Sequence, residues 1–293
     1  STGIKNLIDH AILEYGDQHN ISKELKSYKK IDEIPFDYDR RRVSVIVEGT
    51  KGDTLVTKGA LEEIIKICDQ VLIDGRHKKI DEVNMNAIKE RADALNQDGM
   101  HVIAVAAKKE KFNPQTFSSK DETGLTFLGY IAFLDPPKPD VKEAIANLYH
   151  AGVDVKVISG DAPLVVKHVC DGVGLRSESI IDGTAIEQMS DAQLSEAVES
   201  INVFGRLAPM QKQRVVEALK KNGHVVGYMG DGVNDAPALR AADVGISVDT
   251  ASDIAKSSSD IILLEKSLGV ILDGVYEGRR IYGNIIKYMK MAL

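Results

Sequence analysis

From residue 125 onward, short apolar runs alternate with helix-patterned stretches, and that alternation leaves few folds open. GLTFLGYIAFLD (124–135), AGVDVKVISGD (151–161), SINVFGR (200–206), HVVGYM (224–229), DVGISV (243–248) and DIILLE (260–265) read as strands. Between them, APLVVKHVCDGVG and PMQKQRVVEALKKNG read as helices, the second opened by Pro209 and closed by Gly223. Near-continuous apolar strands separated by helices predict an α/β doubly wound parallel sheet. Ligands of such a sheet bind beyond the carboxyl ends of its strands. The polar residues collect there: Ser159, Gly160 and Asp161 after one strand, Arg206 after the next, Asp231, Asn234 and Asp235 after a third.

The first 124 residues have another texture. IKNLIDHAILEY (4–15) is helix-patterned. VSVIVEG (43–49) and DTLVTKG (53–59) predict a hairpin, and VLIDGRHKKI a second one around Asp74-Gly75. ALEEIIKICDQ (60–70) predicts a helix, and DEVNMNAIKERADALNQDG a longer one with Asp81 at its N-cap and Gly99 past its end. HVIAVAAK (101–108) reads as a strand. Hairpins mixed with helices imply an α+β unit with an antiparallel sheet. The polar stretch 109–124 reads as a surface loop, which sets the expected domains at 1–124 and 125–293.

The turn GDGVND (230–235) differs from the dinucleotide fingerprint GxGxxG in having Asp235 at the third glycine. Two acids facing a pyrophosphate would repel it. No P-loop is present, since GRRIYGN (278–284) has Asn in place of lysine. Close carboxylates call for a neutralising cation or proton. Mg²⁺ held by one or two carboxylates and a phosphate oxygen meets that need, with Asp231 and Asp235 as the metal residues. Ser159 can donate to a phosphoryl oxygen, and Lys212 can neutralise charge that develops during phosphoryl transfer.

Nucleic-acid recognition is disfavoured by a net charge of −7. Two cysteines without CxxC spacing argue against a disulfide framework or a zinc knuckle. No apolar run reaches the roughly 18 residues of a membrane span.

GDGVNDAPAL, with SGD upstream and DPP before it, resembles the phosphorylation domain of the P-type ion-pumping ATPases. The resemblance implies a Rossmann-like, haloacid dehalogenase-type phosphorylation domain beside an inserted nucleotide-binding domain. In the first half KGA (58–60), FDYDRRRVSV (36–45) and NLIDHAIL (6–13) resemble the signatures of that nucleotide domain. Within the family, KIDEIPFDYDRRRVSV, GYIAFLDPPK and the stretch from GHVVGYM to GISVD resemble the magnesium-importing ATPases.

By resemblance, Phe36 stacks on adenine, Lys58 and Gly59 line its pocket, Asp9 accepts from the adenine amino group and Arg41 approaches the phosphates. Asp135 begins the hinge back to the phosphorylation domain; Arg206, polar at its strand end, is a further candidate for cofactor binding. Ser159, Gly160 and Asp161 surround the phosphoryl group, Lys212 neutralises it, and Asn234 and Asp235 position phosphate and metal. ATP and Mg²⁺ are the implied cofactors. The implied parent is a pump at the cytoplasmic face of the plasma membrane that moves a cation, Mg²⁺, through an aspartyl-phosphate. A pump for Ca²⁺ or H⁺, or a soluble dehalogenase-type phosphatase, is the alternative.

Three departures matter. TGD reads SGD, which keeps the hydroxyl, and Lys138 follows DPP where many relatives have Arg. His101 stands where the family commonly has Arg, and it is shorter and lacks a guanidinium's permanent charge. No DKTGT motif occurs, and KDETG (120–124) has Glu where its lysine belongs. The nucleophile, the actuator domain and the membrane helices are therefore expected in an upstream segment and elsewhere in a longer parent. The closing GRRIYGNIIKYMKMAL is expected to lead toward the membrane. Alone, the chain is expected to bind ATP without turnover.

Overall fold

The computed structural model describes residues 7–19, 21, 28–37, 40–49, 52–112, 117–175, 177–265 and 267–292; the side chains of residues 7–10 lie outside that set. The chain divides into two units, Ser1–Asp135 and Pro136–Leu293.

The first unit is built on a seven-stranded sheet in the order β1-β2-β3-β6-β7-β4-β5. Its strands are β1 (Lys29–Asp37), β2 (Arg42–Gly49), β3 (Gly52–Gly59), β4 (Cys68–Ile73), β5 (Arg76–Lys79), β6 (Met100–Lys109) and β7 (Leu125–Leu134). All neighbours run antiparallel except β4 and β7, which are parallel. Helix α1 (Leu7–Gln18) precedes the sheet. Helices α2 (Leu61–Ile65) and α3 (Glu82–Gln97) cover one face, where Ile64, Ile65 and Ile88 pack on Val71, Ala104, Ala106 and Phe127. Both predicted hairpins form, the second with Asp74 and Gly75 at positive φ, as its tight turn requires. Asp81 caps α3 by accepting from Asn84 N at 2.8 Å, and Gly99 follows at φ 79°.

Two expectations change here. The predicted helix 60–70 stops at Ile65, because Cys68–Ile73 leaves it to pair with β5 and β7. The apolar run 125–134 does not open the second unit. It enters the first unit's sheet between β6 and β4, which moves the boundary from 124/125 to 135/136. An apolar run does not by itself tell which sheet it joins or whether its neighbours run parallel or antiparallel.

The second unit holds two parallel three-stranded sheets, β8-β10-β9 and β11-β12-β13. Their strands are β8 (Val157–Ile158), β9 (Ile180–Asp182), β10 (Val203–Gly205), β11 (Gly227–Met229), β12 (Val244–Val248) and β13 (Ile261–Leu263). Helices α4 (Val141–His150), α5 (Pro163–Gly172), α6 (Gly183–Gln188), α7 (Asp191–Ser200), α8 (Pro209–Lys221), α9 (Ala236–Ala241), α10 (Asp253–Ser257) and α11 (Leu268–Ala292) complete it. The parallel strands and both predicted helices are present; the strands form two sheets, where the expectation was one incomplete sheet lacking its nucleophile-bearing strand. Among the described residues no strand lies between the edges β8 and β11. Ile158 of β8 and Val226 pack against the core clusters of both sheets, so the two edges share one apolar seam. No helix among the described residues is long and apolar enough to cross a membrane.

Candidate functional site

In the first unit, strand register gathers the predicted residues on the face away from α2 and α3. Val43 pairs with Lys58, and Lys58 with Val105. Ile34 pairs with Ser44 and Asp37 with Arg42, so Phe36 lies in the irregular stretch between those pairs, at the end of β1 beside Val43. His101 shares the parity of Val105 and therefore that face, where it stacks on Phe133 at 5.2 Å between ring centroids. Phe36 is 54% exposed, an unusual placement for a large aromatic flanked by ordered strand.

Gly59 has a steric reason to be glycine. A Cβ there would lie 2.5 Å from Arg41 O and 2.6 Å from Arg42 Cβ. That close approach lets Ala60 N donate to Arg41 O at 3.0 Å. Arg41 itself takes a positive φ of 48° and donates its N–H to Asp37 O at 2.7 Å. The turn that carries Arg41 is thus pinned by backbone to the segment that carries Lys58. Asp9 sits on α1, but its side chain lies outside the described residues. Asp135 is the exposed last residue of the unit.

Beneath this face is a residue that the sequence reading passed over. Glu122, in the rejected KDETG stretch, is fully buried. It accepts from Arg40 Nη1 (2.7 and 2.9 Å), Arg42 Nε (2.7 Å) and Ser44 Oγ (2.6 Å), and Ser44 Oγ also bonds Thr57 Oγ1. Burial alone would raise its pKa, but the Ser44, Arg40 and Arg42 donors together hold it below the ordinary carboxylate range. Its partners are about 80 positions away in sequence, so no local pattern announces it.

In the second unit the predicted residues lie at the carboxyl ends of β8, β10 and β11. Ser159 Oγ donates to Asp161 Oδ2 at 2.7 Å and accepts from Asp161 N at 3.1 Å, which closes SGD into a small loop. The strand end of β10 holds that loop: Arg206 N donates to Asp161 O (2.7 Å) and Leu207 N to Ser159 O (3.0 Å). Arg206 has φ 56°, and its carbonyl lies where a Cβ on Gly183 would sit. Gly160 has room about it, with Leu207 O 3.7 Å from a built Cβ.

The acid pair after β11 divides its roles. Lys212, 8% exposed, ion-pairs with Asp235 Oδ1 at 2.7 Å. Tyr228 Oη donates to the same oxygen at 3.0 Å, and Gly232 N to Oδ2 at 3.1 Å. Gly230 packs so closely on Asp235 that a Cβ would lie 2.5 Å from the Asp235 Cβ. The cation that Asp235 holds is therefore Lys212, and both its oxygens are engaged within the protein. A carboxylate has about four lone-pair sites, so these bonds leave a place for a metal contact at Asp235. Asp231 is exposed at the lip of a hollow lined by Met229, Gly230 and Val248, and its carbonyl accepts from Ser252 N. Asn234 lies in the short 3₁₀ turn Val233–Asp235. Among the described residues no three His, Cys, Asp or Glu side chains cluster as a metal site. Tyr228 was missed in the sequence because a tyrosine in an apolar strand looks like any core aromatic.

Residues 2–140 match the family model described as P-type ATPase, cytoplasmic domain N. Over 292 residues, 99% of its length, the chain is 49% identical to the magnesium-transporting ATPase, P-type 1, of Escherichia coli, of which it covers 32%. It is 48% identical over 292 residues to the protein of that name from Salmonella typhimurium, with the same coverage. To calcium-transporting ATPase 1 of Bacillus cereus it is 32% identical over 288 residues, 97% of this chain and 32% of that protein. The chain thus spans about a third of the length of the curated relatives it matches.

Proposed function

The chain belongs to the P-type ATPases, and from that membership we propose that it is the nucleotide-binding and phosphoryl-handling part of a pump that moves Mg²⁺ at the expense of ATP. The first unit is the nucleotide domain. Phe36 offers its exposed ring to adenine, Lys58 and Gly59 border that ring, and Arg41 and His101 face the phosphates, with Asp9 toward the adenine amino group. The second unit is a dehalogenase-type phosphorylation domain, joined to the first at Asp135.

The observation that carries this reading is the buried Lys212–Asp235 pair at the carboxyl end of β11. A lysine fixed by a carboxylate beside a hydroxyl-bearing loop is built to hold a phosphoryl group. Ser159 and the SGD backbone orient that group, Lys212 neutralises its oxygens, and Asn234 and Arg206 flank it. The hard oxygen of Asp231, exposed at the mouth of this site, fits Mg²⁺, which keeps waters and takes one or two carboxylates. When bound, Mg²⁺ would supply charge neutralisation at the phosphate.

The open edges β8 and β11 suit a further strand, and a strand ending in the family's aspartate nucleophile would complete both the sheet and the chemistry. The partners are thus that upstream segment, the actuator domain and the membrane helices of the parent, with this part at the cytoplasmic face of the membrane. In the chain alone ATP binds and is not turned over. Restoring the upstream segment and the membrane helices, and measuring acid-stable phosphoenzyme against added cations, tests the proposal. Control by Mg²⁺ supports it; control by Ca²⁺ or protons instead rejects the ion while leaving the family.

A further inference from the structure

Arg40 makes contacts on both sides of Phe36. Its Nη2 donates to Pro35 O at 2.8 Å and its Nε to Asp37 Oδ2 at 3.1 Å, so one guanidinium brackets the aromatic from the residue before and the residue after. The remaining nitrogen, Nη1, is anchored on both oxygens of Glu122. Arg42 Nε takes the same carboxylate from the other end of the turn. Residues 40 and 42 are both tied to one buried acid, with Arg41 between them in a left-handed conformation.

We propose that Glu122 is a positioning residue for the nucleotide site, holding Phe36 and Arg41 in place through Arg40 and Arg42. This rests on the nucleotide reading of the first unit and deepens it. The carboxylate touches neither base nor phosphate. It fixes the fork of Arg40, and that fork limits how far the strand can move at Phe36. A guanidinium suits this task because its donors diverge in a plane toward three separate acceptors, which a lysine cannot reproduce. The buried carboxylate also resists displacement, since an arginine that left it would strip an interior charge of part of its compensation.

Fluorescent ATP-analogue binding to the 293-residue chain tests this, with Phe36→Ala as the arm for the nucleotide reading. Glu122→Asp keeps the charge and withdraws it by one methylene. It is expected to weaken binding about tenfold, as loss of orientation does when a contacting group is left loose. Arg40→Lys is expected to act in the same direction, and it carries the test if Glu122→Asp does not fold. Ile64→Val, in the core of the same unit, is the stability control and should leave affinity within about twofold. Amide exchange gives a second readout: Arg41 and Ala60 exchange faster in Glu122→Asp while Ala104 does not. Unchanged affinity in folded Glu122→Asp, or an equal loss in Ile64→Val, overturns the inference alone. Binding by the unmodified chain that Phe36→Ala leaves untouched, or no binding at all, overturns the nucleotide reading and this inference with it.

Discussion

Gly59 and Asp235 show how single residues set the two sites. A methyl on Gly59 would meet the Arg41 carbonyl and the Arg42 side chain well inside van der Waals contact, at 2.5 and 2.6 Å. Gly59→Ala is therefore expected to cost about 1–3 kcal/mol and to weaken ATP-analogue binding, read by urea unfolding and by titration. Asp235→Asn keeps an oxygen for only one of the Tyr228 and Gly232 donors and leaves Lys212 charged without its counter-ion. The expected loss is about 3–5 kcal/mol, measured by the urea midpoint. Glu122 adds a pH dependence. Its folded pKa lies below the unfolded one, so its contribution is complete above the ordinary glutamate range near about 4.3 and fades as pH falls through the folded value. Acid titration of stability should show that loss in the unmodified chain and a flatter profile in Glu122→Gln. The candidate residues of the second unit stand out in the sequence as several polar types at strand ends, whereas those of the first unit come from the family resemblance. Glu122 was not legible, since its role depends on arginines brought near only by folding.

Elements were legible in proportion to their local signals. The hairpin β2–β3 shows itself by alternation, and α3 by Asp81 and Gly99; both stand where the sequence puts them. Asp81→Ala should lower stability by about 1 kcal/mol, checked by thermal unfolding, because one N-terminal amide loses its acceptor. Strand β1, KKIDEIPFD, has no clean alternation and contains a proline, which its edge position tolerates, so pattern alone does not reveal it. Strand β9 spans three residues, too few for any period. Helix α2 is cut short by pairing of the chain that follows it, a tertiary effect that overrides propensity.

At the scale of the whole molecule, each unit has its own core and its own kind of sheet. The split between β8 and β11 leaves backbone donors and acceptors on two facing edges of one seam. A synthetic peptide with an apolar strand ending in DKTGT is expected to raise the melting temperature of the second unit in calorimetry, while a scrambled peptide does not. The first unit carries a consequence of another sort. Its last strand in sequence, β7, occupies the middle of the sheet, and among the described residues the pieces on either side of it, β1-β2-β3-β6 and β4-β5, are joined in the hydrogen-bonded ladder only through it. During synthesis the sheet therefore stays in two pieces, linked by the packing of α2 and α3 but not by a ladder, until Leu134 has left the ribosome. A chain ended at Gly124, at the border that the change of texture suggests, would be released with the sheet still in two pieces.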